Sequence, residues 1–395
     1  MSFIVNKTRT SFSFLCPTSI EFGVGVAANA PARAKDLGIT KAMVVTDKFL
    51  AETKDSIALV EGLKAQGCTP FVWAEVTPDP TDILIEKGTD AYLKAGCNGL
   101  VALGGGSHID TAKGIGVLAM NGKNLSDYYS HLPAPAPITK MPPLICIPTT
   151  SGTGSDVTNV AVITAGDRKF GLAHALVAPT MSLVDPSLTL TLPPMQTAST
   201  GLDALCHALE GYISILENPI TDALALYAIE LISQNLRRAV YSGTDLEART
   251  NMSVAALLGG IVINTTYATH GHALGQALGG KFHIVHGFSC ALILPAGLEY
   301  NRPACEEKLA RVARVMGVDT EGMTQLEAAN AGIASVAQLI EDLGLPTLAE
   351  ATGIKAADIN PVAAAAAADG CNFLNPRPWT TESYAKVLRK TLGFD

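Results

Sequence analysis

Residues 98–113 read NGLVALGGGSHIDTAK, and the order of these residues decides the fold. A short apolar run, Leu100 to Leu103, meets three glycines and then a helix-prone segment opening near Ser107. A brief apolar run bounded by a glycine turn is a buried strand, and the helix-prone segment after the turn makes it the first half of a strand–turn–helix unit. The same grammar recurs on either side. KAMVVTD (41–47) is a strand ending in Asp47, and TPFVWAEV (69–76), PPLICIPTTSG (142–152) and MSLVDP (181–186) are three more. Strands separated by helical stretches predict a doubly wound parallel sheet. After LTLTLPP (188–194) the character changes to long, Ala- and Leu-rich segments such as DALALYAIELISQNLRRAV (222–240) and the alanine run Val362 to Ala368. The expected architecture is an α/β domain over 1–190 and an all-α domain over 191–395.

Composition bounds the function. The chain has 395 residues, 48% hydrophobic and 16% charged, enough to bury two cores. A net charge of −8 argues against nucleic acid or an anionic membrane as a partner. No apolar run reaches eighteen residues, and the first residues, MSFIVNKTRTSFSF, lack a basic-then-apolar signal pattern. Eight cysteines without CxxC spacing suit a reducing compartment, so a cytoplasmic enzyme is expected.

Gly104, Gly105, Gly106 and Ser107 lie between strand and helix, where glycine lets the backbone approach a pyrophosphate and the helix start offers free N–H groups. Asp110 and Lys113 ride on that helix. The loop is not GxGxxG. Asp47, at the end of an earlier strand, suits the ribose hydroxyls of an adenosine and would repel a 2′-phosphate, which favours NAD(H) over NADP(H). PTTSGTGSD (148–156) places Thr149, Thr150 and Thr153 just past a strand, where ligands of open α/β sheets bind.

Four of eight histidines crowd into THGHALGQALGGKFHIVHG: His270, His272, His283 and His286. A fifth, His207, follows Asp203 by four residues, which puts both side chains on one helix face. Carboxylate and imidazole together form a ligand set for a divalent first-row metal, Fe(II) or Zn(II). The crowded histidines are the available partners for that claw.

The segments TSIEFG, VTDK, GGGSHIDTAK, PTTSGTGSDVT, TGLDALCHALEGY, the histidine stretch and NPR occur in an order that resembles the iron-type (group III) alcohol dehydrogenase family over nearly the whole chain. The resemblance implies a dinucleotide-binding domain, a helical domain and a metal in the cleft between them. It carries the metal ligands onto Asp203, His207, His272 and His286; on one straight helix the last two would stand about 21 Å apart, so this ligand set implies a turn between them, with Gly279-Gly280 the expected break. It places Cys371 near a substrate pocket and Lys169 near the cofactor. It also implies a homodimer or larger even assembly, for which SFSFLC (11–16) offers a strand edge. Three positions depart from the family pattern. Gln276 stands where relatives carry histidine, Val285 rather than proline precedes the last histidine, and Asp156 replaces glutamate.

The expected reaction is reversible hydride transfer between NAD(H) and a small primary alcohol or its aldehyde, with the metal polarising the substrate oxygen. A carboxamide cannot accept a proton at neutral pH, so His270, His283 or water takes the relay, with Gln276 left to hydrogen-bond substrate. His270 and His283 are also alternative ligands, and Arg377 with His283 could hold an acidic substrate group. Rival readings are a glycerol dehydrogenase-like, dehydroquinate synthase-like or maleylacetate reductase-like enzyme of the same architecture, and a non-catalytic metal- and NAD-binding module.

Overall fold

A computed structural model of the chain describes residues 11–166 and 168–394. They divide into two compact units, residues 16–192 and residues 193–394 together with 11–15.

The first unit is built on six parallel strands: β1 (Ser19–Phe22), β2 (Lys41–Val45), β3 (Thr69–Trp73), β4 (Gly99–Gly104), β5 (Leu144–Pro148) and, after a separate hairpin β6 (Val160–Ala165) with β7 (Arg168–Ala173), β8 (Met181–Val184). Their order in the sheet is β1-β8-β5-β4-β2-β3. Every residue of β4 and β5 is buried, as parallel strands covered on both faces require. Side chains alternate between those faces. Met43, Val45, Leu100 and Ala102 enter one core cluster, while Ala42, Val44, Val101 and Leu103 enter the other.

The five strands expected from sequence are all present, and two features differ from expectation. SFSFLC (11–16) forms no strand; the edge strand is β1, three residues on, paired with β8 from Ser19↔Met181 to Phe22↔Val184. Phe12 and Phe14 match the alternation of a strand, but strand order along the sheet edge is a tertiary property that this pattern does not encode. The β6–β7 hairpin lies outside the expected set, because pairing between the two strands defines it rather than the apolar pattern of either one. Its register is antiparallel from Val160↔Ala173 to Ala165↔Arg168.

The second unit is helical. The helices Pro194–Ile213, Pro219–Tyr241 and Leu246–Thr266 bury their apolar faces in one cluster with the Leu294–Val315 helix. A second cluster joins the His270–Phe282 helix to the C-terminal helices Ala356–Ala367 and Thr381–Leu392. The alanine run lies on the first of these, burying Val362, Ala363 and Ala366 and exposing Ala364 and Ala365. Leu246–Thr266 is long and apolar enough to cross a membrane, yet over half of its most apolar window is buried inside this unit.

Candidate functional site

Within the first unit the chain runs from β2 outward to β3 and then returns to the other side of β2 as β4. The strand order therefore reverses between β2 and β4, and the crevice beyond the carboxyl ends of such strands is where open α/β sheets bind ligands. Asp47 follows β2 and Gly104–Ser107 follows β4, so both reach this point. They are tied there, since His108 Nε2 lies 2.9 Å from Asp47 Oδ2. Asp47 Oδ1 accepts from Leu50 N–H at 2.8 Å, capping the short turn after β2.

The glycines are there for proximity. Gly104 has φ +149°, and a Cβ on it would fall 2.3 Å from the His108 ring. A Cβ on Gly106 would fall 2.7 Å from Thr153, and one on Gly105 3.1 Å from Thr150. Backbone 104–106 thus lies directly against the β5 loop. The helix Gly106–Asn121 begins at Gly105 with no side chain capping its first N–H groups, the arrangement that receives a phosphate.

Asp110 and Lys169, expected at this site, and Lys113 on the same helix as Asp110 all have partners within the protein. Asp110 points inward, accepting from Ser155 Oγ at 2.5 Å and Val162 N at 3.0 Å. Lys113 is fully buried, and its ammonium donates to Ser155 Oγ, Thr158 O and Oγ1, and Val160 O. Burial pushes this lysine below its ordinary range, against the pull of Asp110. Together they pin the Thr153–Val160 loop to the helix. Lys169 pairs with Asp79. Asp156 is buried and accepts from Ser182 Oγ at 2.7 Å, so the replaced glutamate position belongs to the sheet core.

The second unit carries the histidine cluster. Asp203 and His207 share one face of the Pro194–Ile213 helix, His272 lies in the first turn of the His270–Phe282 helix, and His286 opens the helix His286–Ala291. The Nε2 atoms of His207, His272 and His286 stand 3.8, 3.7 and 3.8 Å from Asp203 Oδ1. Donors bonded at about 2.1 Å to one tetrahedral ion would be ~3.4 Å apart. The observed spacing is slightly wider. Asp203 Oδ1 and His272 Nε2 are buried with no hydrogen-bond partner, a costly state that a shared cation resolves. Burial pushes the Asp203 carboxyl up, but the imidazoles of His207, His286 and His272 outweigh it and hold the group below its usual value. The donor set therefore fits a divalent metal.

The turn that brings His286 back is not at Gly279-Gly280. Both glycines lie inside the helix, which runs on to Phe282. It ends at His283, which adopts φ +54° and returns its N–H to Gly279 O at 3.0 Å. Packing of Leu274 and Leu278 into the core outweighs the poor helix propensity of two glycines, about 1 kcal/mol each. His283 is thus an exposed helix end, outside the cluster. His270 is also outside it. It is buried and stacks on Trp379, its Nδ1 is held by Asn301, and Gly297 lies close against its ring. Burial lowers its basicity. Neither residue joins the group formed by Asp203, His207, His272 and His286.

Gln276 lies one turn beyond His272, with Nε2 donating to Cys371 Sγ at 3.8 Å. Burial raises the Cys371 thiol well above its ordinary value, so it stays protonated. Arg377 donates to Tyr300 O at 2.9 Å and covers the Tyr300 ring.

Two residues escape a reading by sequence alone. Cys290, four residues after His286 and on its face, belongs with Asp203, His272 and His286 to a group of donors all within 4.8 Å of one another. Its sulfur is 3.8 and 3.9 Å from the two nitrogens of His286. Cys290 is thus a further candidate donor beside His207, whose Nε2 stands 3.8 Å from Asp203 Oδ1. The other is Glu210, fully buried and 3.2 Å from His272 Nδ1.

Comparison with known proteins identifies the family of both units. Residues 17–186 match the iron-containing alcohol dehydrogenase family model, and residues 197–392 match the model of the C-terminal part of the Fe-containing alcohol dehydrogenase family. The chain is 39% identical over 388 residues to a choline dehydrogenase of Bacillus subtilis, covering 98% of this chain and 96% of the relative. It is 33% identical over 382 residues to an NAD-dependent methanol dehydrogenase of Bacillus methanolicus, covering 96% and 100%. The solved structure of an alcohol dehydrogenase from Oenococcus oeni superimposes with a TM-score of 0.91 at 38% identity, covering 96% and 100%. With both units matched in sequence and the whole chain matched in structure, the protein belongs to the iron-containing alcohol dehydrogenase family and is an oxidoreductase of alcohols and aldehydes.

Proposed function

We propose that this chain interconverts a small primary alcohol and its aldehyde, with NAD(H) as hydride carrier and one divalent metal, Fe(II) ahead of Zn(II), held by Asp203, His207, His272 and His286. The observation that carries the reading is the buried Asp203 carboxylate ringed by three imidazole nitrogens at 3.7–3.8 Å. A metal there supplies Lewis acidity, favouring ionisation of a hydroxyl in one direction and polarising a carbonyl in the other.

The chain's own residues do the rest. His286 has 28% of its side chain exposed against 4–6% for Asp203, His207 and His272, so substrate approaches from the His286 side. Gln276 is a neutral donor and acceptor one turn from His272, suited to orienting a substrate hydroxyl but not to taking its proton. The low charge of the segments that carry Asp203, His207, His272 and His286 favours a neutral substrate. With His270 sealed in the core, the proton leaves by solvent. In the nucleotide unit the open helix start at Gly106 receives the pyrophosphate. The Asp47 carboxylate favours a free ribose over a 2′-phosphate. The NAD-dependent methanol dehydrogenase relative supports that preference.

The test is oxidation of NADH by short neutral and acidic aldehydes, using chelator-stripped protein before and after anaerobic addition of Fe(II) or Zn(II). Turnover that appears with metal, is faster with NADH than NADPH and prefers neutral aldehydes is the expected result. Metal and NADH binding without turnover of any aldehyde would overturn it.

A further inference from the structure

Glu210 is the one fully buried carboxylate on the face that also carries Asp203 and His207, at positions i, i+4 and i+7 of the Pro194–Ile213 helix. Its two oxygens have different tasks. Oε2 accepts from the backbone N–H groups of Thr269 and His272, the latter at 3.4 Å. These lie at the start of the His270–Phe282 helix, where Thr269 provides no side-chain cap of its own. Glu210 thus caps a neighbouring helix from 59 residues away, with a charge of the sign that end prefers. Oε1 lies 3.2 Å from His272 Nδ1. A Cβ on residue 271 would fall 2.0 Å from Oε1, so the approach depends on Gly271.

We propose that Glu210 is a positioning residue for the metal centre. By accepting the Nδ1–H of His272 it fixes the tautomer and the ring plane that leave the Nε2 lone pair directed at the ion. An ionised carboxylate only accepts hydrogen bonds, so Nδ1 must carry the proton and Nε2 must not. The same carboxylate sets the position of the helix start bearing that ring. Outer carboxylates of this kind orient and strengthen metal-bound histidines, and their loss weakens metal affinity by roughly 10–100-fold. The inference rests on the metal reading of the cluster.

The experiment is Co(II) binding to the full chain, wild type against Glu210→Gln and Glu210→Ala, by chelator competition and visible absorption. Thermal unfolding of the metal-free proteins serves as the control for folding. Glu210→Gln keeps the volume and a capping carbonyl. It should unfold within a few degrees of wild type while binding Co(II) about 10–100-fold more weakly, with a shifted d–d spectrum and an unchanged NADH dissociation constant. Glu210→Ala should lose both stability and metal. If Glu210→Gln binds Co(II) with wild-type affinity and spectrum, Glu210 is only a cap and the inference falls. If the wild type itself takes up no Co(II), the metal reading fails instead. Should the variants not fold, zinc-loaded wild type labelled with 15N-histidine gives the answer. A slowly exchanging Nδ1–H on His272 is expected, and an Nε2–H there would overturn the proposal.

Discussion

Asp203 experiences two opposed influences of similar kind. Removal from water disfavours its charge, and three imidazoles favour it. Asp203→Asn keeps the shape and removes only the charge that a cation would share. Metal content by elemental analysis should fall well below one per chain, and aldehyde reduction should drop by roughly 10^3-fold or more. An active asparagine variant with full metal content would remove Asp203 from the ligand set. The Asp203–His207 pair was legible in the chain because a helix repeats its face every three to four residues. Glu210 continues that repeat, but its role depends on partners 59 and 62 residues away, which no local pattern encodes. Asp110 and Lys113 show the converse. They ride on the helix that opens at the Gly104–Ser107 loop, yet which way each points was decided by Ser155, Thr158 and Val162.

Among elements, the contact that matters most to the cluster is a backbone crossing. A Cβ on Gly287 would stand 2.0 Å from Ser199 O, so the His286 helix rests on the main chain of the Asp203 helix with nothing between. Gly287→Ala must separate them and carry His286 away from Asp203. The expected outcome is a loss of ~1–3 kcal/mol in unfolding free energy, on the scale of other overpacked sites, together with weakened metal binding. Chemical denaturation and a metal titration measure the two effects. Unchanged metal affinity would mean that the His286 helix can shift without moving its first residue. At this scale the sheet was readable because parallel strands are nearly continuous apolar runs. The β6–β7 hairpin and the helix end at His283 were not, because one depends on pairing and the other on a left-handed residue that is not glycine.

At the scale of the whole molecule, stability depends on pH through a group in the helical unit. Burial raises the Asp222 carboxyl to about 6, although Lys308 Nζ contacts both its oxygens at 3.1 Å. Glu217, 3.8 Å from the same ammonium, pushes the same way as burial, and Arg311 opposes them. The folded pKa lies above the unfolded value of about 3.9. Between those values the folded state therefore holds the extra proton, and stability declines as pH rises across the window. Asp222→Asn should abolish that decline and gain at most about 2–3 kcal/mol over wild type near pH 7. Melting temperatures from pH 4 to 7 check it, and parallel curves for the two proteins would refute the assignment.

The turn between His272 and His286 has a further consequence. Only His283, Ile284 and Val285 separate the end of one helix from His286, which opens the next. A residue added to a helix rotates everything beyond it by about 100°, and three connecting residues have too little slack to absorb an insertion. Lineages descended from such a chain can exchange the chemistry of these three positions. They cannot readily alter their number. Gains and losses of length should accumulate at exposed loops elsewhere, leaving a silent stretch here in which the count of residues is inherited more faithfully than their identity.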